Sequence, residues 1–179
     1  MNSEPTSLPY TDTKPVGAAD FYFAFNATFR FIAQRLGMEG LRRYWQDLGT
    51  RYYAPVTERW KSGGLSAVAS HWRAFFKAEP GAEVEVQQTD LEVVLHVRTC
   101  PIIKHLRDHD REIMPAFCQH CYFVSEAIAS PAGMSARVEG GNGSCTQRFS
   151  VAAQPPQDLD AITSCASHIS TSSPLISES

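Results

Sequence analysis

The chain has 179 residues, of which 43% are hydrophobic, and this length suits one sizeable core rather than two domains. Its net charge of −3 provides no basic surface for a phosphate backbone, so nucleic acid is not expected as a partner. The sequence contains no run of about 18 apolar residues, so no membrane span is predicted. Its first residues lack the positive and apolar blocks of a secretory signal, so the cytoplasm is the expected location.

The two ends of the chain differ in composition from the middle. Residues 1–17 contain three prolines among polar residues and predict a flexible arm. Residues 153–179 predict a disordered tail, because they are rich in serine and proline. Cys165 and His168 fall inside this tail and are therefore not expected at a site. A single folded domain is predicted over residues 18–152.

The N-terminal half predicts three helices. The first follows Asp20, a suitable N-cap, and ends at Gly37. The second runs up to Pro55, and the third stops before Pro80. Their apolar residues recur at helical spacing and predict core-facing stripes; in the first helix these are Phe21, Phe25, Ala27, Phe29, Ile32 and Leu36.

The pattern changes at residue 83, where alternating residues predict two antiparallel strands that turn near residues 88–90. Pro101 cannot donate to a strand ladder, so Cys100 is expected just beyond the second strand. Within the charged stretch 104–112, the sequence HLRDHD is interpreted as a solvated turn, and a further helix is predicted to begin near Pro115. Two short strands flank the sequence GGNGS. The predicted fold class is therefore α+β, with N-terminal helices followed by a small antiparallel sheet with a further helix, in a single domain.

The chain has five cysteines, an odd number that favours thiols or metal ligands over disulfides in a reducing compartment. Cys118 and Cys121 have the spacing of half a zinc or iron site, which Cys100 and Cys145 could complete. Structural zinc sites usually contain two such closely spaced ligand pairs, whereas Cys100 and Cys145 are each isolated in the sequence. A redox dithiol is a second interpretation, although no βαβ pattern surrounds Cys118 and Cys121. No cofactor is required by the sequence, and zinc or iron is the candidate metal.

Nucleophilic catalysis is a third interpretation of the cysteines. A reactive thiolate needs a nearby base or positive end and a pocket that orients the electrophile. Cys100 at a strand end, Cys118 near a helix start and Cys145 beside the glycine-rich turn all fit, and His120 is the candidate histidine. The turn itself is either a simple hairpin or a place where backbone amides and Asn142 approach an anion.

Four segments carry a family resemblance: TCPIIKHL, MPAFCQHCYFVSEAIA, VEGGNGSCTQRFSV and the upstream aromatic helix. Together, over about residues 20–151, they resemble the L-2-amino-thiazoline-4-carboxylic acid hydrolase family. The matching positions are Cys100 with Pro101, Cys118 in the helix, and the glycine-rich turn leading to Cys145, Arg148 and Phe149. Cys121 departs from the pattern, since many members carry an aspartate there.

The resemblance implies hydrolysis of a carbon–nitrogen bond in a small cyclic amidine. In that interpretation Cys100 and Cys145 are the catalytic pair, Cys118 supports them, and His120 or Glu139 moves protons. Arg148 or Arg98 would bind a substrate carboxylate, with Asn142 nearby. The alternative is a non-catalytic module that binds a metal or senses a small ligand, as in the similar vinyl-reductase-type domains. The expected partner is a small molecule, and a homo-oligomer is compatible with the sequence.

Overall fold

The computed structural model describes residues 18–152 and 154–165. The predicted flexible arm, residues 1–17, lies outside the described residues, as do residue 153 and the tail from residue 166. In chain order the elements are α1 (Phe21–Asp47), a π-helical turn (Leu48–Tyr52), α2 (Ala54–Ala78), β1 (Glu83–Gln88), β2 (Glu92–Thr99), α3 (Pro101–Asp108), α4 (Gln119–Ala129), a 3-10 turn (Ser130–Ala132), β3 (Ser135–Gly141), β4 (Ser144–Ser150), a second 3-10 turn (Leu159–Ala161) and β5 (Ile162–Thr163).

The predicted helix end at Gly37 is confirmed. The backbone leaves helical geometry there, with φ 69° and ψ −179°, and a second helical segment continues directly to Asp47. The predicted buried face of the first segment is only partly right, because Phe29 is 3% exposed whereas Phe21 is 63% exposed and Leu36 is 67% exposed. The buried residues are Tyr22, Asn26 and Phe29.

Asn26 is one buried residue that the apolar pattern missed. Its polar side chain can be buried because its neighbours satisfy its hydrogen bonds. Its amide donates to the carbonyl of Glu112 at 2.8 Å, and its oxygen accepts from the N–H of Met114 at 3.1 Å. A buried amide with both groups paired avoids the cost of an unmade hydrogen bond. A search for apolar residues at helical spacing does not detect such a position.

The five strands form one sheet in the order β1-β2-β4-β3-β5. The two predicted hairpins, β1-β2 and β3-β4, are both confirmed as antiparallel pairs. Strand β2 also pairs antiparallel with β4, whereas β5 pairs in parallel with the end of β3. The predicted α+β fold class is confirmed, with helices first and a mostly antiparallel sheet after them.

The segment 154–165 is a correction to the predicted disordered tail. It carries a 3-10 turn and β5, whose Ile162 and Thr163 lie opposite Gly140 and Gly141 of β3. Gln157 adds to this attachment, because its side chain accepts from the N–H of Val138 at 3.0 Å and donates to its carbonyl at 3.1 Å. The edge of β3 thus obtains partners that the composition of the tail does not indicate.

The charged stretch after Cys100 is a second correction. Its first part is helical, because Pro101 occupies the first turn of α3 and Ile103 and Leu106, three residues apart, are both fully buried. The following helix, α4, begins at Gln119 rather than near Pro115, and residues 115–118 form a turn before it. No helix among the described residues is long and apolar enough to span a membrane.

The core consists of two apolar clusters. The first lies between α2 and the sheet and contains Trp60, Leu95 and Phe149. The second joins α1, α3 and the start of α4, and includes Trp45 and Phe117. Cys100 packs against both clusters, Cys145 against the first, and Cys118 and Cys165 belong with the second. The cysteines therefore lie where the two clusters meet.

Candidate functional site

The start of α4 positions Cys118, the helical cysteine of the FCQHC sequence. Cys118 is the N-cap residue of α4 and is half-buried. The unpaired N–H groups of a helix start create a partial positive charge that favours a thiolate. The backbone N–H of Asn142, in the β3-β4 turn, adds a hydrogen bond of 3.3 Å to the Cys118 sulfur. Both contacts favour the Cys118 thiolate, but the effects of Cys165 and of burial on its pKa are larger and opposite.

Cys165 is the closest partner of Cys118. The two sulfur atoms lie 3.4 Å apart, and Cys165 is 0% exposed. The backbone N–H of Cys165 donates to the carbonyl of Pro115 at 2.8 Å, which holds the end of the 154–165 segment against the turn before α4. The exclusion of Cys165 from the site is therefore wrong, since the ordered segment carries it to Cys118.

The two thiols titrate as a pair. The hydrogen bond from Cys118 lowers the pKa of Cys165. The same contact, followed by burial, raises the pKa of Cys118. Two groups in such contact lose their protons in two separate steps, because the remaining S–H stabilises the first thiolate and the thiolate opposes the second ionisation. The pair therefore supplies one thiolate more readily than two.

The other three cysteines are held in the thiol form. Burial raises the pKa of Cys100, and it raises the pKa of Cys145 to about 12 although Gln147 opposes the shift. Burial also raises the pKa of Cys121, and the neighbouring thiols of Cys145, Cys118 and Cys100 raise it further. All five cysteines are thus electrostatic neighbours. Cys100 and Cys145, expected to be the catalytic pair, lack the lowered pKa that a thiolate nucleophile needs at neutral pH.

The glycine-rich turn is a hairpin turn, whereas its approach to an anion stays a prediction. Asn142 has a φ of 55° and Gly143 a φ of 115°, as a tight two-residue hairpin turn requires. The carbonyl of Gly143 accepts from the N–H of Cys100 at 2.8 Å. The turn thereby joins the start of α3 to the start of α4.

Arg107 is a site residue that the sequence reasoning missed. Its guanidinium donates to the side-chain oxygen of Asn142, and its charge lowers the pKa of Cys100 and of Cys118 by minor amounts. Arg107 is exposed, so the remaining donors face solvent. The spacing of Ile103 and Leu106 could have revealed this residue. It predicts a helix in which Arg107 lies about one turn after Ile103.

Glu139 and Arg148 are not brought to the thiols. Along β3 and β4, Cys145 lies opposite Gly140, whereas Glu139 and Arg148 occupy positions whose side chains point to the other sheet face. Arg148 pairs with Glu92 at 3.1 Å on that face. The sequence reasoning placed these residues correctly on strands but did not use the alternation to separate the faces.

His120 lies among aromatic rings. Its Nδ1 donates to the carbonyl of Phe117 at 2.8 Å, and its ring packs against those of Phe29 and Phe117. Burial lowers its pKa, so the imidazole is neutral at pH 7. The nearest thiol is Cys121, with its sulfur 3.9 Å from both ring nitrogens, which is long for a useful hydrogen bond. His120 is therefore a packed core histidine rather than a base in contact with Cys118.

The predicted metal site at Cys118 and Cys121 acquires no third ligand. Within residues 18–152 and 154–165, no group of three or more His, Cys, Asp or Glu side chains is arranged to hold a metal ion. The two sulfur atoms belong to one helix start but have different neighbours, since Cys118 contacts Cys165 and Asn142. The residues present do not fit a structural zinc or iron site, which needs four ligands around the ion.

A small cleft gives access to Cys118. It has a volume of about 130 Å³, which corresponds to roughly four water molecules. Its wall is formed by the turn before α4 and by the β5 segment, namely Pro115, Ala116, Cys118, Gln119, Ile162, Thr163 and Ser164. A compact ligand that enters this cleft meets the Cys118 thiol.

Gly141→Ala is expected to separate β5 from β3 and expose Cys165. A Cβ at Gly141, where φ is 151°, would lie 2.5 Å from the carbonyl oxygen of Thr163 and 3.3 Å from the Cβ of Cys118. Reaction of the folded protein with a chromogenic disulfide reagent should then show faster modification of Cys165. Gly133→Ala is the control, because Gly133 also has a positive φ but no atom within 4 Å of the new Cβ. Equal reaction rates for both variants would contradict the predicted clash.

No protein-family model, no curated protein and no solved structure matches the chain. The resemblance to the L-2-amino-thiazoline-4-carboxylic acid hydrolase family therefore stays a prediction drawn from its motifs, and the site is interpreted from its own geometry: a thiol pair, Cys118 and Cys165, at the start of a helix beside a small cleft.

Proposed function

We propose that the protein is a hydrolase that opens a carbon–nitrogen bond in a small cyclic amidine, with Cys118 as the reacting thiol. The observation that carries the proposal is the 3.4 Å contact between the sulfur atoms of Cys118 and Cys165 at the start of α4. A thiolate with a neighbouring S–H combines a nucleophile with a proton donor. This assignment moves the chemistry from Cys100 and Cys145 to a contacting pair in which one thiol, Cys165, has a lowered pKa and can accept the proton of the other.

In the proposed reaction, Cys165 first takes the proton of Cys118 across the 3.4 Å contact, and the resulting Cys118 thiolate bonds to the electrophilic ring carbon. As the ring carbon–nitrogen bond breaks, the nitrogen takes the proton of Cys165. A water molecule then adds its oxygen to the carbon and returns a proton to Cys165. The carbon–sulfur bond breaks in this second step, which restores the thiolate and the thiol.

Binding of the substrate would depend on Arg107 and the β3-β4 turn. The exposed guanidinium of Arg107 is held by Asn142, whose backbone N–H donates to the Cys118 sulfur, and its charge acts on Cys118. A guanidinium pairs well with a carboxylate through two parallel hydrogen bonds. The proposed substrate is therefore a small amidine that carries a carboxylate. Arg107 binds this carboxylate, a role that the sequence analysis gave to Arg148.

The test is to incubate the purified protein with 2-aminothiazoline-4-carboxylic acid and follow ring opening by mass spectrometry. We expect turnover that falls at least about 100-fold in Cys118→Ser, because the nucleophile is lost. Cys121→Ser is the matched control one turn further along α4, and it should retain activity. Turnover that persists in Cys118→Ser would contradict the assignment, and an inactive wild-type protein would contradict the hydrolase proposal.

A ligand-sensing module is the second candidate, favoured by one observation. Burial keeps Cys100, Cys121 and Cys145 neutral by raising the pKa of each, so most of the thiol cluster is uncharged and suited to binding rather than to attack. Under this candidate, the same compound would raise the Tm of the protein in proportion to its saturation but would remain intact. The mass spectrum of the recovered ligand separates the two candidates.

A further inference from the structure

We propose that Cys118 and Cys165 are a peroxide-reactive pair that closes to a disulfide and fastens the 154–165 segment to the start of α4. The inference goes beyond the proposed hydrolysis and does not require it. It rests on three observations: the sulfur contact of 3.4 Å, the cleft that reaches Cys118, and the defined structure of the 154–165 segment that ends at Cys165.

The geometry of the pair is close to that of a disulfide. A disulfide has a sulfur–sulfur length of about 2.05 Å, so the two atoms need to approach by little more than an ångström. The hydrogen bond of 2.8 Å between the Cys165 N–H and the Pro115 carbonyl keeps the two chain segments side by side.

The two cysteines differ in access, which assigns their roles. Cys118 is half-buried and lines the cleft, whereas Cys165 is completely buried. A small oxidant therefore meets Cys118 first. At rest the Cys118 S–H donates to Cys165, which is the thiolate of the pair. Transfer of this proton to Cys165 moves the charge to Cys118, where the helix start and the Asn142 N–H stabilise it.

The oxidant is hydrogen peroxide, and the reaction has two steps. The Cys118 thiolate attacks one peroxide oxygen, the oxygen–oxygen bond breaks, and the leaving hydroxide takes a proton to become water. The Cys118 sulfenic acid then reacts with Cys165, the sulfur–sulfur bond forms, and hydroxide leaves with the Cys165 proton as a second water. Two thiols are oxidised and one peroxide is reduced to two waters.

The closed form would differ from the open form in two ways. The covalent link spans 47 residues and fixes β5 beside the glycine-rich end of β3, which restricts the unfolded chain and raises the Tm. The link also removes the Cys118 thiol from the cleft. If Cys118 is the nucleophile of the hydrolase, oxidation reversibly abolishes turnover.

The experiment treats the reduced full-length protein with hydrogen peroxide, then alkylates the remaining thiols under denaturing conditions. We expect the loss of two alkylatable thiols, a mass lower by two hydrogens, and full reversal by dithiothreitol. Trypsin leaves Cys118 and Cys121 in one peptide, residues 112–137, and Cys165 in another, residues 149–179. Cys121→Ser should still yield the linked peptides, which assigns the bond to Cys118.

Two variants of Cys165 keep the inference testable if one folds poorly. Cys165→Ser and Cys165→Ala should both form no intramolecular disulfide and instead accumulate the Cys118 sulfenic acid, which dimedone traps with a fixed mass gain. The inference is overturned if five thiols remain alkylatable in the wild-type protein, or if Cys118 links to Cys100, Cys121 or Cys145 instead. Because the readout is a mass, disulfide formation without ring opening would count against the hydrolase proposal alone.

Discussion

Gly49→Ala is expected to lower the free energy of unfolding by about 3 kcal/mol, since it overpacks a close helix contact. Gly49 is buried in the π-helical turn after α1. A Cβ there would lie 2.6 Å from the Cβ of Ala127 and 2.7 Å from the carbonyl oxygen of Val124, both in α4. The carbonyl belongs to the helix backbone, so the contact is relieved only if the two elements separate.

Thermal unfolding of wild type and variant measures this effect, with an expected fall in Tm of roughly 6–12 °C for a domain of this size. Thr50→Ala is the control, because Thr50 is the exposed neighbour in the same turn and its loss should change stability by less than about 0.5 kcal/mol. Adding Ala127→Gly to Gly49→Ala should restore only part of the Tm, since the Val124 carbonyl remains. An unchanged Tm in Gly49→Ala would contradict the contact.

Acid is expected to weaken the fold between pH 6.5 and pH 4 through His71. Burial, with a smaller contribution from Arg59, lowers the pKa of His71 from 6.5 to about 4. Above pH 6.5 His71 is neutral in both the folded and the unfolded chain, so its titration does not change the free energy of unfolding. Between the two pKa values the unfolded chain takes up a proton that the folded chain resists, so stability falls as the pH falls.

The expected loss from His71 is about 2 kcal/mol by pH 4, after allowance for its partial exposure. His71 packs against the rings of Trp60, Trp72 and Phe75, so His71→Phe keeps an aromatic ring but removes the titration. Urea unfolding at pH 7 and pH 5 should show a smaller drop in the variant. Some drop should remain, because burial also lowers the pKa of His120. Identical pH profiles would show that His71 is not the cause.

Local signals account for the elements that were predicted correctly. Gly37 interrupts α1 because its positive φ is accessible to glycine, and Pro101 ends β2 and opens α3 because it lacks an N–H. Asn142 and Gly143 form the β3-β4 turn for the same type of local reason. These conformational preferences act within a few residues, so they can be predicted from the local sequence.

The wrong predictions concern which face of a helix or strand is buried by its neighbours. Phe29 is buried as predicted, yet Phe21 and Phe25 are exposed and Tyr22 and Asn26 are buried in their place. Glu139 lies on a strand as predicted, but on the sheet face away from the thiols. The periodicity of an element limits the choice of face, and only the neighbouring elements decide it.

The sequence by itself determined the interruption of the first helix at Gly37, the two hairpins and the position of Cys145 just after the glycine-rich turn. Only the tertiary structure decided which cysteines meet. Cys118 and Cys165 are separated by 47 residues, and their contact depends on the parallel pairing of β5 with β3. Burial then sets each pKa, so Cys100 and Cys145 remain thiols while the Cys118 and Cys165 pair shares its protons. Residue types and spacing do not determine these quantities, because they depend on the path of the whole chain.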